Sequence, residues 1–396
     1  MAKWQQRQLG DCLTLRSGGT PSKARNDYWG GDIPWVSCKD MKVGRIHDAE
    51  DHLTPLGAEN GTRLVPENTI LFVVRGMILA RDFPIAMTKR TVAFNQDLKA
   101  AEPADFIDNE FLFQWFRANT YEILGRADEA GHGTKRIQTD RLLAMPISVP
   151  PLPVQRRIAG ILSAYDELME NSQRRIRLLE AMARALYREC IREDGDSTSV
   201  KGILETDYWT FISANVSPYG GTKRYYATAD IEGLAVQGAG IDYTFAEKPS
   251  RAQKQPTPFS LWFARMKDTY KIAWYSEVNA QSADSTILSS GFAGFQAVEP
   301  LYFPLLFLTV SSKEFHAQKD LYCTGATQMS LTNEGLSIIE VPAPTKRAAR
   351  RLGERTLPLL NQILVLQLRI QNLRRTRDLL LPRLLSGQVS LAVNGT

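Results

Sequence analysis

Residues Leu162 to Cys190 read LSAYDELMENSQRRIRLLEAMARALYREC, and apolar or small side chains recur there at alternating steps of three and four. This spacing is typical of a coiled-coil seam, where one face of a helix packs on a partner helix. We expect the helix to begin near Val154, and Ser163 to Asp166 could form a capping box that restarts or bends it. We assign to this seam Leu162, Tyr165, Met169, Ile176, Leu179 and Leu186.

A second stretch near the C-terminus has the same periodicity. Proline is well suited to the first turn of a helix, so we expect this helix to run from Pro358 to Leu381 and to end before Pro382. Two matching seams in one chain predict that the two helices pack on each other in antiparallel directions. We assign to the second seam Leu359, Ile363, Leu366, Ile370, Leu373 and Leu380.

An internal repeat covers nearly the whole chain. Leu71 to Arg75 resembles Leu261 to Arg265 after a shift of 190 residues, and Pro151 to Pro153 resembles Pro342 to Pro344 after a shift of 191 residues. Each match is short, but their order and near-constant offset indicate a tandem duplication. We therefore predict four regions in the order 1–150 (first globular domain), 151–194 (central helical region), 195–342 (second globular domain) and 343–390 (C-terminal helical region).

The globular domains combine strand and helix patterns. Runs rich in β-branched and aromatic residues, such as 33–37, 70–74 and 260–264, predict strands, whereas 110–124 has helical spacing. Residues 301–310 suit either a buried helix or a strand. The elements lack a regular βαβ alternation, so we predict an α+β fold: two globular domains separated by an antiparallel two-helix coiled coil, with pseudo-twofold symmetry.

Composition is that of an ordinary globular protein, with 43% hydrophobic and 23% charged residues. No apolar run approaches the ~20 residues of a membrane helix, and the first residues lack a signal core, so we expect a cytoplasmic protein without a membrane partner. The four cysteines are scattered and read as reduced thiols. His47 and His52 do not match a common metal motif, and we predict no metal site.

Positive charge is concentrated at the C-terminus. The net charge is +5, yet residues 343–396 contain ten Lys or Arg and only two Asp or Glu. A solvated helix face is the simpler explanation, but the imbalance favours an anionic partner, either nucleic acid or an acidic protein surface.

Antiparallel helices of this length would place two dissimilar domains about 35–45 Å apart, close to one turn of B-DNA at ~34–36 Å. A protein of this shape could contact two different half-sites on one duplex, in inverted orientation. Coiled coils that only hold protein partners are common, so this geometry leaves both interpretations open.

Three sequence features resemble the specificity subunit of type I restriction–modification systems. They are the loop Ser17 to Ser22, the stretch Tyr28 to Val36, and Pro150 to Ile158 at the start of the long helix, together with the duplicated plan. The second half of the chain has no counterpart of the stretch Trp29 to Pro34. Its segment Pro342 to Lys346 matches only poorly the proline- and glutamine-containing segment Pro150 to Ile158.

The resemblance implies two target-recognition domains, each reading one half of a bipartite double-stranded DNA sequence. It implies helical regions that set the spacing and dock methyltransferase (modification) subunits. Such a subunit has no catalysis of its own. S-adenosylmethionine would serve the methyltransferase, and ATP and Mg a restriction/translocase partner, whereas no cofactor is expected in this chain.

The sequence agrees with a role that is not catalytic. It contains no Asp/Asn-Pro-Pro-Tyr/Phe amino-methyltransferase motif and no Gly-x-x-x-x-Gly-Lys-Ser/Thr phosphate loop. Gly238 to Gly240 is better explained as a turn. A coiled-coil adaptor whose end domains bind proteins, without DNA sequence specificity, is the alternative function. An enzyme of an unfamiliar type is a third, which the missing motifs disfavour.

Side chains that contact DNA are expected to be cationic or polar groups near loops. An ordinary surface role is the alternative for each of them. The candidates in the first domain are Thr20, Lys23, Arg25, Lys39, Arg75, Lys89, Arg90, Asn95, Gln96, Lys135, Arg136 and Gln138. The candidates in the second domain are Lys223, Arg224, Arg251, Lys254, Arg265, Lys267, Gln296 and Gln328.

Overall fold

The computed structural model describes residues 4–130, 133–194, 198–326 and 328–389. The chain divides into two compact units, of which unit 1 contains Met1–Leu168 and Leu373–Thr396, and unit 2 contains Met169–Asn372. Each unit therefore includes segments of both long helices. The division predicted from the sequence had instead set the helical regions apart from the globular domains.

Unit 1 contains fourteen of the described strands and four short helices, followed by the long helix α5. Its strands are β1 (Gln5–Gln8), β2 (Leu13–Ser17), β3 (Trp29–Val36), β4 (Arg45–Ile46), β5 (Asp51–Leu53), β6 (Leu64–Val65), β7 (Ile70–Val73), β8 (Arg75–Gly76), β9 (Ile85–Thr88), β10 (Val92–Phe94), β11 (Leu98–Pro103), β12 (Ala127–Glu129), β13 (Lys135–Ile137) and β14 (Pro146–Val149). Its helices are α1 (Pro55–Glu59), α2 (Asn109–Ala118), α3 (Thr120–Gly125), α4 (Thr139–Leu143) and α5 (Leu152–Asp194).

The core of unit 1 lies between a five-stranded sheet and helix α2. The sheet has the order β2-β11-β7-β9-β4, and its central strand β7 is buried on both faces, which explains its continuous apolar sequence. Asp108 accepts a hydrogen bond from the Phe111 amide and so caps α2, whose buried face includes Phe111 and Phe116. Smaller sheets with the orders β5-β3-β10-β6, β12-β13-β8 and β1-β14 complete the unit.

Unit 2 repeats the alternation of short strands and short helices. Its strands are β15 (Ser199–Gly202), β16 (Trp209–Phe211), β17 (Lys223–Tyr226), β18 (Ile231–Glu232), β19 (Ala235–Val236), β20 (Ile241–Tyr243), β21 (Ala252–Lys254), β22 (Ser260–Ala264), β23 (Ile272–Tyr275), β24 (Thr286–Ser289), β25 (Phe292–Ala297), β26 (Cys323–Thr324), β27 (Ser330–Leu331) and β28 (Glu340–Ala343). Its helices are α6 (Ala280–Asp284), α7 (Phe303–Val310), α8 (Lys313–Leu321), α9 (Asn333–Ile338) and α10 (Lys346–Leu385).

The core of unit 2 forms where helix α7 packs on a four-stranded sheet with the order β16-β25-β22-β23. Every residue of α7 is buried, which explains why the sequence alone could not assign this stretch to helix or strand. A second four-stranded sheet has the order β20-β17-β24-β21, and two-stranded sheets pair β15 with β28, β18 with β19 and β26 with β27.

The two units share details of topology. In each one the first strand pairs antiparallel with the strand just before a long helix: Gln5 lies opposite Val149 in unit 1, and Ser199 lies opposite Ala343 in unit 2. Each also has a parallel pair, β3 with β10 and β17 with β24. The α+β class, the two globular parts and the duplication are thus confirmed.

Helix α5 is continuous over its 43 residues. The predicted restart at Ser163 is therefore wrong, since the following seam residues keep the helix packed through this point. Helix α10 is also continuous, and the predicted start at Pro358 and end before Pro382 are both wrong. Leu352, Thr356 and Leu360 are fully or almost fully buried around Pro358, so packing holds the helix together where proline removes one backbone donor.

Within unit 2 the two long helices run antiparallel. As the sequence of α5 advances from Glu189 to Glu193, the ion-pair partner in α10 moves back from Arg355 to Arg351. Within unit 1, residues 380–385 of α10 pack against the core that contains Leu162 of α5. In the described part of the chain, the helices fall short of the combined length and apolar character that a membrane span requires.

The remaining differences are local. The helix predicted over 110–124 is split into α2 and α3 at Asn119, whose side-chain amide donates to the Trp115 carbonyl. The strand predicted at 260–264 has the predicted bounds. Residues 195–197, at the start of the predicted second globular domain, lie outside the described residues.

Candidate nucleic-acid interface

Hydrogen bonds bring three loops of unit 1 together. The Trp35 indole donates to the Gly19 carbonyl at 3.0 Å, and the Gly19 amide donates to the Phe94 carbonyl at 2.9 Å. The Asn95 amide in turn donates to the Val36 carbonyl at 3.0 Å. Gly19 has no room for a side chain, because an added Cβ would lie 2.0 Å from the Gly61 carbonyl oxygen. The glycine-rich loop recognised in the sequence is therefore packed between strands β3 and β10.

Three of the candidate residues meet at this junction. The Thr20 hydroxyl donates to the Gln96 amide oxygen at 2.6 Å, and both side chains are exposed. Asn95 is only 7% exposed, and its side-chain oxygen accepts from the Asp97 amide. Asn95 thus shapes the loop, whereas Thr20 and Gln96 are the groups that a ligand can reach.

The junction continues into the strands that bear arginines. The Val74 amide donates to the Asp97 carbonyl at 2.8 Å, and the Ile137 amide donates to the Val74 carbonyl at 2.9 Å. Residue 75 begins β8 immediately afterwards, and its carbonyl accepts a long hydrogen bond from the Cys38 thiol at 3.8 Å. Backbone contacts thus connect the loop of Thr20 and Gln96, residue 38 and β8 within unit 1.

Two arginines face each other across β8 and β13. Arg75 of β8 and Arg136 of β13 are direct antiparallel partners, so their side chains project from the same face of the sheet. Both are exposed, and among the residues that the structure describes neither guanidinium has an ion-pair or hydrogen-bond partner. Like charges in this position repel each other. We call these two residues the arginine pair.

A cleft of about 650 Å³ lies beside the arginine pair. Its walls also carry Asp128, Glu129 and Asp140. Asp128 is already engaged, because it accepts hydrogen bonds from Gln138 at 2.5 Å and Arg141 at 2.8 Å. The candidate Lys135 lies opposite Glu129 across β12 and β13. The cleft therefore offers donors to a ligand on one side and carboxylates on the other.

Other first-domain candidates are bound to neighbouring groups. Arg25 is paired with Asp27 at 2.6 Å, and this hydrogen bond raises the pKa of Arg25. Lys39 lies 3.0 Å from the carboxylates of residues 50 and 51. Arg90 donates to the Asp32 carbonyl, and Lys23 and Lys89 are simply exposed.

Unit 2 groups three of its candidates. The Ser290 amide donates to the Arg251 carbonyl at 2.8 Å, and the Arg265 amide donates to the Gly291 carbonyl at 2.9 Å. The pKa of Lys254 is lowered, mainly by burial and then by the positive charge of Arg265. Lys254 therefore lies close to Arg265. Burial likewise lowers the pKa of Arg265.

This group is only partly free for a ligand. Lys254 donates to the Ser213 carbonyl at 3.0 Å and to Asn215 at 3.1 Å. Arg265 donates to the Leu331 carbonyl at 2.9 Å and to Asn333 at 2.8 Å. In contrast, the side chain of Arg251 is exposed and has no partner among the described residues.

The remaining second-domain candidates are divided. Lys267 is joined to Met329 through its amide, and Gln328 beside it is exposed. Lys223 donates to Gln255 at 2.8 Å, and Arg224 forms a two-point pair with Asp242 at 2.8 Å, which raises the pKa of Arg224. The Gln296 amide donates to the Pro258 carbonyl at 2.8 Å and is therefore occupied within the fold.

The seam residues lie on the packed faces of the two helices. Leu162, Ile176, Ile363 and Leu366 are at most 3% exposed. The partly buried members of the two seams are Tyr165, Met169, Leu179, Leu186, Leu359, Ile370, Leu373 and Leu380.

Sequence reasoning missed an ionic network in unit 1. Asp166 contacts Arg117 at 2.6 Å and Arg377 at 2.7 Å, and Gln114 donates to the same carboxylate at 3.1 Å. It joins α2, α5 and α10, but residues so far apart in the sequence give no local signal of their pairing. It also missed Met77, whose side chain is 71% exposed, because an apolar run such as Met77 to Leu79 resembles core.

The described His, Cys, Asp and Glu side chains form no group of three or more that could hold a metal ion. The geometry instead brings cationic and amide side chains to loop surfaces. Two α+β units, each built on segments of two long helices, define a duplicated class of protein with one candidate surface in each unit.

Comparison with known proteins relates the first half of the chain to a known family. A family model for the type I restriction modification DNA specificity domain matches residues 1–181. The type I restriction enzyme EcoR124I/EcoR124II specificity subunit of Escherichia coli is 35% identical over 162 residues, 40% of this chain and 40% of that subunit. The type I restriction enzyme MjaIX specificity subunit of Methanocaldococcus jannaschii is 29% identical over 189 residues, 47% of this chain and 43% of that subunit.

These matches span less than half of the length of the curated relatives. The resemblance noted in the sequence is confirmed for residues 1–181, which match the family model for type I restriction modification DNA specificity domains. The crystal structure of a type I restriction–modification system S subunit from M. genitalium covers 97% of this chain and 96% of its own, with a TM-score of 0.59 at 15% identity. That likeness extends the shared fold to both units.

Proposed function

We propose that this chain recognises a bipartite sequence in double-stranded DNA, with unit 1 reading one half-site and unit 2 the other. The observation that carries this proposal is the arginine pair. Arg75 and Arg136 occupy directly opposed positions on an exposed sheet face. Neither guanidinium forms an ion pair among the described residues, and Asp128, which lies opposite Arg136 on β12, instead accepts hydrogen bonds from Gln138 and Arg141. A phosphate placed between them would turn mutual repulsion into charge-assisted hydrogen bonding.

The neighbouring polar groups support the same function. Thr20 and Gln96 are exposed in loops that backbone contacts connect to β8, and hydroxyl and amide groups can pair with base edges. In unit 2, exposed Arg251 lies beside the half-buried cations Lys254 and Arg265. Each unit thus combines phosphate-binding and base-reading chemistry, and the two sets differ, so two different half-sites are expected.

We further propose that the chain is the non-catalytic recognition subunit of a DNA adenine methyltransferase complex in the cytoplasm. Methyltransferase subunits would supply S-adenosylmethionine chemistry, and a restriction/translocase subunit would use ATP and Mg. The two long helices would fix the gap between the half-sites, and the 43-residue continuity of α5 supports a stiff spacer.

Co-expression with a type I methyltransferase subunit in a host that lacks DNA adenine methylation tests the function. We expect genome-wide mapping of methylated adenines to show a split motif with a fixed gap. Arg75→Ala combined with Arg136→Ala should lower methylation at every site, whereas Arg126→Ala, which removes a surface arginine paired with Glu122, is the matched control. Co-purification of the subunits without a sequence motif would favour the adaptor function and contradict this proposal.

A further inference from the structure

Met77 is the most exposed methionine among the described residues of unit 1. Its side chain is 71% exposed, and that of Ile78 is 40% exposed, whereas Leu79 is 1% exposed. The three residues belong to a short 3-10 helix, Met77–Ala80, that directly follows β8. Leu79 is a core residue, so this helix is anchored in unit 1 while its first two side chains point into solvent.

The position of Met77 is fixed by the chain around it. Gly76 has φ 155° and ψ 163°, a backbone conformation that is essentially restricted to glycine. The amides of Arg81 and Asp82 both donate to the Ile78 carbonyl at 2.9 Å, which closes the turn. Strand β13 contacts the same 3-10 helix. Met77 is therefore held next to the arginine pair rather than on a free loop.

This arrangement places an apolar side chain beside two exposed arginines that form no ion pair among the described residues. Removal of an exposed apolar side chain from water is favourable, so a ligand that covers Met77 would gain binding free energy. The arginine pair defines the charge of that ligand, since an anionic partner complements it and a cationic one does not. Duplex DNA combines phosphates with apolar groups in its grooves, most notably the thymine methyl group in the major groove.

We propose that Met77 is a specificity-determining side chain that contacts the apolar edge of a thymine in the half-site read by unit 1. The inference rests on the proposed function and adds a residue and a base class to it. The arginine pair holds the phosphate backbone, and Met77 reads the adjacent base pair. Ile78 supports the methionine at its base and is covered in the complex.

Motif mapping with the full chain and its methyltransferase subunit tests this assignment. For Met77→Ala we expect relaxed base preference at one base pair, or at two adjacent ones, within a single half-site. The other half-site and the gap should stay unchanged. Met182→Ala is the matched control, because it makes the same substitution at a side chain that is 54% exposed on α5 in unit 2, and it should keep the wild-type motif.

A binding measurement identifies the chemical group. Thymines of the half-site are replaced one at a time by deoxyuridine, which removes only the methyl group. The wild-type complex should lose about fourfold in affinity at one position, as expected for one buried methyl. The Met77→Ala complex should show no loss at that position, and Met77→Leu should retain the wild-type motif.

The outcomes are separable. Should the wild-type chain direct no sequence-specific methylation, the proposed function fails and this inference fails with it. A wild-type motif that Met77→Ala leaves intact overturns the inference alone. A uniform fall in methylation with an unchanged motif also overturns it, because Met77 would then contact a protein subunit instead of DNA.

Discussion

Asp166 Oδ1 accepts a hydrogen bond from Arg377 Nη1 at 2.7 Å, and this contact joins the two long helices within unit 1. Arg117 donates to the other oxygen of the same carboxylate at 2.6 Å. Burial alone would raise the pKa of Asp166, but the charges and hydrogen bonds of Arg117, Arg377 and Gln114 outweigh it and hold the pKa below its usual value. One carboxylate thus neutralises two arginines that are themselves largely buried.

Asp166→Asn should destabilise unit 1 by about 3 kcal/mol, because it leaves the largely buried Arg117 without its counter-charge and leaves Arg377 only its pair with the more exposed Asp378. Urea denaturation at pH 7 measures this loss. Glu122→Gln, which breaks an exposed pair with Arg126, is the control and should cost less than about 1 kcal/mol. Since the folded pKa of Asp166 is lowered, its contribution is complete above the unfolded value near 3.9 and disappears as the pH falls through the folded pKa. Equal stability of Asp166→Asn and the wild type would contradict this account.

Arg136→Ala should weaken DNA binding and stabilise the free protein at the same time. Loss of one phosphate contact is expected to reduce the slope of log K against log salt by about 1. Removal of the repulsion from Arg75 should raise the free energy of unfolding by roughly 0.2–1 kcal/mol, because Asp128 on the other side of Arg136 keeps its hydrogen bonds from Gln138 and Arg141 and loses little. Arg141→Ala, which removes an arginine bound to Asp128, provides the comparison and should not stabilise the protein. Unchanged salt dependence in Arg136→Ala would exclude a phosphate contact.

His316 should make unit 2 sensitive to acid. Burial, and then the charge of Lys319, lowers the pKa of His316 to about 4, and both ring nitrogens lack hydrogen-bond partners in the described structure. As the pH is lowered from 6.5 to 4, the unfolded chain binds a proton that the folded chain does not. The free energy of unfolding therefore falls by up to about 3 kcal/mol over this range. His316→Phe should flatten that part of the stability curve, whereas His52→Gln should leave it unchanged. If the free energy of unfolding of His316→Phe fell with decreasing pH as steeply as that of the wild type, His316 would not be the group responsible.

Matched shortening of the two long helices should change the gap in the DNA motif. Deletion of one heptad from each helix removes about 10 Å of helix, which corresponds to roughly three base pairs. We expect methylation mapping to show the same two half-sites with a shorter gap. A change in half-site identity with an unchanged gap would show that the helices do not set the spacing.

The seam of α5 and the duplication could be predicted because both follow from the spacing of residues along the sequence. The continuity of α10 through Pro358 could not, since the local effect of proline opposes a helix there and only the burial of Leu352 and Leu360 overrides it. The opposition of Arg75 and Arg136 depends on the register of two strands that lie about sixty residues apart in the sequence. Both arginines were expected to be near DNA, but their mutual contact required the fold.

The strand pairing at the base of each unit has an evolutionary consequence. Because Gln5 lies opposite Val149 and Ser199 lies opposite Ala343, each globular part enters and leaves its scaffold at adjacent points. We therefore expect that recombination at its two ends could replace such a part whole while the helices stay as they are. Under the proposed function, new combinations of half-sites would then arise by exchange of whole domains rather than by slow change of individual side chains.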